Sequence, residues 1–279
     1  MQLSINELTK HANHARGNVL KTVFHANAGH VGGPMSAIDI LTYLYFEELN
    51  RGPGISNVIN RNRFVLSKGH SAIGLYAVLA EVGLLPEEEL KTFDSLNSRL
   101  QGHPDMKALP SIDMSTGSLG QGISAAVGMA LGAKLSGLDF RTYCMLGDGE
   151  SQEGQVWEAA FIANKYKLDN FVVILDKNRL QQFGWQVDSD SMEEPSANDQ
   201  EKWMAFGWNT ITIDGHNFED IDAAFTTATA TKNKPTIIIA NTIKGKGVSF
   251  MENHYLWHSK VPTENELIIA LEELAVGSL

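Results

Sequence analysis

Two apolar runs joined by a helical segment constrain this chain more than any other feature. The run Thr142-Tyr143-Cys144-Met145-Leu146 stops abruptly at Gly147-Asp148-Gly149. A helical pattern over 152–167 follows, and then a second run, Phe171-Val172-Val173-Ile174-Leu175, ends in Asp176-Lys177-Asn178. Two strand ends therefore deliver an aspartate and an asparagine to one edge of a parallel sheet. A glycine beside an acid points to close backbone approach by a ligand. A bare carboxylate repels phosphate, so a phosphate at this edge requires a divalent cation between the two. Magnesium takes oxygen ligands, typically one or two carboxylates together with the phosphates of its ligand. The segment reads as a metal-diphosphate site; standing alone, Gly-Asp-Gly would be a plain turn.

The alternation extends along the chain. Strand-like runs fall at 63–66, 142–146, 171–175, 208–213 and 236–241, and helical patterns at 35–49, 72–82, 119–135, 152–167, 218–231 and 264–275. This order predicts an α/β fold, with a mainly parallel sheet covered by helices on both faces and one domain over 1–279. Ligands collect at the carboxyl ends of such strands, where Asp148, Asn178 and Lys244 all fall. The Gly-, Ala- and Ser-rich segment 119–135 predicts a helix packed tightly against another backbone, within this chain or across a subunit interface, and the polar segment 188–200 a long surface loop. A net charge of −11 argues against nucleic acid or an acidic membrane surface as the main partner. It leaves room for a local basic pocket at Lys244-Gly245-Lys246-Gly247. No apolar run is long enough to span a bilayer and no secretory leader is apparent. The single cysteine, Cys144, lies in a strand-like run; it fits a small core residue and a reducing, cytoplasmic setting.

A nicotinamide loop is disfavoured. Gly147-Asp148-Gly149-Glu150-Ser151-Gln152 lacks the third glycine and carries two acids, and Gly117-Ser118-Leu119-Gly120-Gln121-Gly122 has the wrong glycine order. Histidine placement is the second signal. Gly29-His30, Gly69-His70, Gly102-His103-Pro104 and Gly215-His216 are glycine-flanked, and His258 follows Trp257. A lone histidine is usually a surface or core residue, but several beside glycines point to a pocket that exchanges protons near neutral pH. Zinc is improbable: His254 and His258 lie four apart without an intervening glutamate, and there is no cysteine cluster. Lys68 and Lys244 are each placed to hold a phosphate oxygen, with a solvated lysine as the equal alternative.

Together these residues resemble the diphosphate-binding half of transketolase, a thiamine-diphosphate enzyme, in the form of the short chains that make up half of two-chain bacterial and archaeal transketolases. The resemblance covers almost the whole chain. It rests on Gly29-His30-Val31-Gly32-Gly33, Leu66-Ser67-Lys68-Gly69-His70, Gln101-Gly102-His103-Pro104, Thr116 to Gly122, Gly147 to Gly154, Asp176 to Gln181, Thr242 to Gly247 and Trp257-His258. The resemblance implies that Asp148, Asn178 and the main-chain oxygen of Leu180 bind Mg²⁺ or Ca²⁺. It implies that Gly149, Lys68, His70 and Lys244 contact the diphosphate or nearby ring. Gly117 would accept from the aminopyrimidine, and Leu119 would support the bent cofactor. Ser118 and Glu150 fall in the same motifs and join the cofactor-binding set, as does His258. His30, His103 and His258 would face substrate hydroxyls and assist proton transfer, and Glu153 would sit between two active sites. The cofactor itself would carry a two-carbon ketol unit from a ketose to an aldose.

The family activates the aminopyrimidine with a glutamate from a second, pyrimidine-binding domain. That domain is expected on a partner chain, in an assembly of two copies of each. Departures from the usual pattern bear on the sugar: Gln182-Phe183-Gly184-Trp185 after the metal asparagine, Pro34 where serine is common, and Ser259 for the usual glycine. They imply an altered pocket rim, open to the standard sugar phosphates or to branched, deoxy- or sulfo-sugars. Other readings are the alpha chain of a 2-oxoacid dehydrogenase, a deoxyxylulose-phosphate synthase fragment, or a non-catalytic cofactor binder. The two enzymes share the metal motif but not the run of His30, His70, His103 and Trp257-His258. A degenerate binder would have lost ligands that this chain retains.

Overall fold

The computed structural model describes residues 2–49, 59–181, 186–188, 191–192 and 198–276. Five strands form one parallel sheet: β1 (Arg63–Leu66), β2 (Thr142–Gly147), β3 (Phe171–Lys177), β6 (Asn209–Asp214) and β7 (Thr236–Asn241), in the order β1-β2-β3-β7-β6. Register places Gly147 opposite Asp176, and Asp176 opposite Ala240, so the three central strands end level. Parallel strands need crossover connections, and these cover both faces. Tyr143, Met145, Val172, Ile174 and Ile238 point into a core shared with α1 (Ile5–Ala26), α2 (Gly32–Tyr43), α3 (Ala72–Glu81), α7 (Phe218–Ala230) and α8 (Glu264–Glu273). The alternate residues Cys144, Leu146, Val173, Leu175 and Ile239 point to the other face, against α4 (Gln121–Leu135), α5 (Gly154–Lys165) and α6 (Asp199–Ala205). This period-two partition is why the strands read as unbroken apolar runs: both faces are buried.

All five sequence-predicted strands form, with ends shifted by at most two residues. The helix expected at 35–49 begins earlier, at Gly32, and its last part, Leu44–Glu48, widens into a π-helical turn. That over 119–135 begins at Gln121. Its close packing is found at Gly122, where a Cβ would lie 2.6 Å from Ser67 Oγ and 2.7 Å from Ser67 Cα. Gly128 and Gly132 have nothing of this chain against them, while Ala126, Ala130 and Ala133 are buried on the helix's inner face.

The sequence reading missed α1 entirely. Ser4 and Glu7 close its start with a reciprocal capping box, and Leu8, Ala12, Ala15, Val19, Leu20 and Val23 form its buried stripe. Arg16, Asn18 and Thr22 are buried among them, which masked the apolar period. The loop expected over 188–200 needs correction where it is described. A two-stranded antiparallel ribbon, β4 (Gln186–Asp188) with β5 (Ser191–Met192), occupies part of it, and α6 starts at Asp199 with Asn198 as its cap. The remainder of that segment, with Gln182-Phe183-Gly184-Trp185, lies outside the described residues. Among the described residues no helix is long and apolar enough to cross a membrane. Cys144 is fully buried, and burial pushes its thiol well above its ordinary pKa.

Candidate functional site

The strand ends build one edge of a cavity of about 430 Å³. Its lining takes Asp148 and Gly149 from the end of β2, Asn178, Leu180 and Gln181 from beyond β3, and Lys244 from beyond β7. His30 and Gly33 enter from the start of α2, Lys68 and His70 from beyond β1, and His103, Gly117 and Leu119 from the long connection before α4. The sheet edge thus gathers every cofactor-binding, metal and histidine residue expected there, except Ser118. That serine is exposed and outside the lining, as is Glu153. Glu153 is exposed at the N-terminal end of α5, with its stem against Gly120. Pro34 is buried in the first turn of α2, where a missing N–H costs nothing, and lies outside the lining. Ser259 follows the short 3₁₀ turn Tyr255–His258 and is exposed.

Asp148, Asn178 and Leu180, the residues expected to offer oxygens to a cation, all line the cavity. Asp148 Oδ1 accepts from Gly149 N (2.8 Å) and its Oδ2 from Arg179 N (2.5 Å). Burial, then the neighbouring Asp176 charge, pushes the Asp148 carboxyl up to about 6 against these hydrogen bonds. Asn178 Oδ1 accepts from Leu180 N (3.1 Å), which folds the loop back and brings the Leu180 carbonyl to the cavity. Lys244 Nζ donates to Leu180 O (2.9 Å) and Gln181 O (2.7 Å), so an ammonium already stands on the carbonyl assigned to a cation. A carboxylate, an amide oxygen and a carbonyl make a hard-oxygen set that suits Mg²⁺ or Ca²⁺. The residues fit the metal.

The two lysines are not solvated. Lys68 is buried and pairs with Asp176, and its Nζ also donates to Gly33 O (3.2 Å). Lys244 is buried too, and its third donor reaches His258 Nδ1 at 2.8 Å. Burial, together with the Lys68 charge, lowers the Lys244 ammonium to about 8. Its stem passes so close to Gly32 that a Cβ there would lie 2.7 Å from Lys244 Cγ. Lys246 points away and meets Glu252 at 3.7 Å, so the expected basic pocket reduces to Lys244.

Three imidazoles form the cavity's other wall. The rings of His30, His70 and His258 stand 5.1–5.4 Å apart, centroid to centroid. Burial, then neighbouring positive charge, lowers all three pKa values, His258 to about 3. They are neutral at physiological pH, which leaves each ring one donor and one acceptor. A hydrogen bond from Val31 N to His258 O (3.3 Å) ties the first and last histidine loops together. His30, His70 and His103 also line a second opening of about 460 Å³, with Gly29, Ile73, Phe93, Asp94 and Gln101.

Two residues have structural tasks that the motifs did not reveal. Asp176, fully buried, accepts from Lys68, Thr242 and Ser36 (2.7 Å from Ser36 Oγ). Burial alone would raise its carboxyl, but the Lys68 charge and these hydrogen bonds hold it below the usual range. The acid preceding Asn178 by two positions was legible, but its partners come from three distant segments. Glu150 lines the cavity, yet its carboxylate is already occupied. Oε1 accepts from Ser67 Oγ (2.6 Å) and Gly120 N (2.9 Å), and Oε2 accepts from Gly147 N (3.1 Å). Burial pushes its carboxyl up while these donors oppose the rise.

A parallel sheet whose level strand ends bring a carboxylate, an amide and two buried lysines to one cavity defines the chain as an α/β protein with its candidate site at the carboxyl edge of the sheet. Comparison with known proteins narrows the class. Residues 8–274 match the family described as transketolase, thiamine diphosphate binding domain. The chain is 40% identical over 275 residues to one of the subunits of the apulose-4-phosphate transketolase of Phocaeicola vulgatus, covering 99% of this chain and 95% of the relative. It is 41% identical over 268 residues to the 6-deoxy-6-sulfo-D-fructose transketolase subunit SqwG of Clostridium sp., covering 96% of each. Mouse transketolase is 41% identical over 274 residues, 98% of this chain but 43% of that protein. The crystal structure of Campylobacter jejuni transketolase superposes with a TM-score of 0.87 at 33% identity, again over 98% of this chain and 43% of the other. The chain belongs to the transketolase family, and it matches its apulose-4-phosphate and sulfofructose relatives over nearly their whole length. The dehydrogenase, synthase and non-catalytic readings give way to this one.

Proposed function

We propose that this chain is the diphosphate-binding half of a two-chain transketolase, holding thiamine diphosphate through Mg²⁺ at Asp148, Asn178 and the Leu180 carbonyl. The observation that carries the reading is the convergence of that oxygen set with Lys68, Lys244 and the His30, His70, His103 and His258 group on one sheet edge. When bound, the cofactor supplies the carbanion-stabilising chemistry of ketol transfer. The chain's own residues do the rest. Asp148 and Asn178 hold the cation, and Lys244 and Lys68 balance the diphosphate charge. Gly117 and Leu119 set the shelf for the ring, and Ser118 and Gly149 flank it. His30, His103 and His258, with neutral His30 and His258 rings ready to accept or donate, orient the sugar hydroxyls and move protons at them. Glu150 contributes by locking three loops of the cavity. Exposed Glu153 belongs to the face met by another chain of the assembly.

The relatives named as transketolase subunits, matched over nearly their whole length, support placing the pyrimidine-binding half on a partner chain, in an assembly of two copies of each. The relatives named for apulose-4-phosphate and for 6-deoxy-6-sulfo-D-fructose favour an anionic, non-standard ketose as donor over nucleic acid or lipid ligands. The single buried Cys144 suits a cytoplasmic enzyme. The test is ketol transfer by the purified chain with and without a second chain resembling the pyrimidine-binding half. Transfer only in the mixture supports the proposal; equal turnover by the chain alone refutes it.

A further inference from the structure

Gly215-His216 is the one glycine-flanked histidine that the cavity does not contain, and its surroundings assign it a different task. His216 follows β6 and turns its ring inward, with its side chain 9% exposed. Nδ1 lies 2.7 Å from Asp39 Oδ2, and Nε2 accepts the backbone N–H of Ile243 at 2.8 Å. A nitrogen that accepts a backbone N–H carries no proton, so the ring is neutral and its proton resides on Nδ1, directed at the carboxylate. Asp39 is fixed in turn. Arg16 grips it with two bonds, Nη1 to Oδ1 (3.0 Å) and Nη2 to Oδ2 (2.6 Å), and adds Nε to Met35 O (3.3 Å). Burial alone would raise the Asp39 carboxyl, but the Arg16 charge and the His216 and Arg16 hydrogen bonds outweigh it and hold it below the usual range.

The far end of this relay is the residue before Lys244. The segment 242–245 is also held by Thr242 N on Lys177 O (3.2 Å), Thr242 Oγ1 on Asp176, Asn253 N on Lys244 O (3.0 Å) and Gly245 N on Gly32 O (3.1 Å). Those bonds fix Thr242, the Lys244 carbonyl and Gly245, but none of them holds the Ile243 N–H. His216 takes the Ile243 N–H, one residue from the lysine whose three donors are spent at the cavity. We infer that His216 is a positioning residue for Lys244, held in the accepting tautomer by the Arg16–Asp39 pair, so that α1 and α2 help set the cavity's cationic wall. This inference rests on the reading of Lys244 as a diphosphate-side residue.

The two ends of the imidazole can be replaced separately. Glutamine places a carbonyl oxygen near the Nε2 position and keeps the acceptor for Ile243; asparagine stops near Nδ1 and keeps only the Asp39 contact. Thiamine diphosphate affinity and kcat are measured on the two-chain enzyme with saturating Mg²⁺. His216→Asn is expected to weaken cofactor binding about tenfold, the scale of one lost hydrogen bond to a fixed group, with kcat at saturation within about twofold. His216→Gln is expected to stay within about twofold of wild type in both. On a Lys244→Met background, His216→Asn should add nothing, since coupled residues are non-additive. Wild-type affinity in His216→Asn beside a weakened Lys244→Met overturns the inference and leaves the Lys244 reading standing. Wild-type affinity in Lys244→Met overturns both. Should His216→Asn fail to fold, nitrogen-15 NMR of histidine-labelled wild-type protein decides: a proton on Nδ1 of His216 supports the relay, and a proton on Nε2 overturns it.

Discussion

Replacing Glu150 by glutamine tests whether this acid serves the cofactor or the fold. Its two oxygens accept three donors, from the end of β1 (Ser67), the turn before α4 (Gly120) and the end of β2 (Gly147). The two backbone groups can only donate, and an ionised carboxylate satisfies all three donors at once. Glutamine keeps one oxygen for Ser67 and Gly120 but turns an NH₂ toward Gly147 N–H, leaving two donors face to face. Hydrogen bonds to charged groups contribute about 1.5–3 kcal/mol each, and an unsatisfied buried group costs about 1–3 kcal/mol. Allowing for relaxation, Glu150→Gln should destabilise by about 2–4 kcal/mol. Unfolding entropy of about 2.1 cal/mol/K per residue gives about 0.6 kcal/mol/K over 279 residues, hence a fall in Tm of about 3–7 °C. Differential scanning calorimetry at pH 7.5 reads this directly. A Tm within about 1 °C of wild type would show that the carboxylate is protonated or the clamp slack, and the reasoning would fail.

Other outcomes follow from the same contacts. Lys68→Met leaves Asp176 buried without its cation and should cost about 3–5 kcal/mol, whereas Lys68→Met with Asp176→Asn should recover much of it; chemical denaturation measures both, and additive losses would contradict the pairing. Gly122→Ala forces a Cβ against the Ser67 backbone and should cost about 1–3 kcal/mol, while Gly128→Ala, facing open space, should gain up to about 1 kcal/mol from helix propensity. Equal effects at the two sites would refute the assigned packing. The depressed pKa values of His30, His70 and His258 mean that the unfolded chain takes up protons below about pH 6.5 while the native cavity does not. Stability should therefore fall as pH drops from about 6.5 toward the folded values, and His70→Gln should show a shallower fall between pH 7 and 5; an unchanged slope would contradict the buried, neutral ring.

Much of the site was legible because its residues terminate strands whose apolar runs are unambiguous. Asp148, Asn178 and Lys244 could be placed at one edge from sequence, since a parallel sheet aligns its carboxyl ends. What stayed hidden was pairing across the fold. No sequence pattern announces that Lys68 meets Asp176, that Glu150 spends its carboxylate on three loops, or that His216 faces Asp39. Helix α1 was lost for a related reason: its buried Arg16 belongs to a pair whose other half lies in α2. The Ser4–Glu7 capping box was the available signal.

The central claim is that Asp148, Asn178 and the Leu180 carbonyl form a metal-dependent diphosphate site. Calorimetric titration of the two-chain enzyme with thiamine diphosphate, with Mg²⁺ and then with the ion chelated, tests it most directly. The account predicts saturable binding that needs the cation and is lost in Asp148→Asn and Asn178→Ala. Binding of equal strength after chelation, or in those two variants, would contradict it.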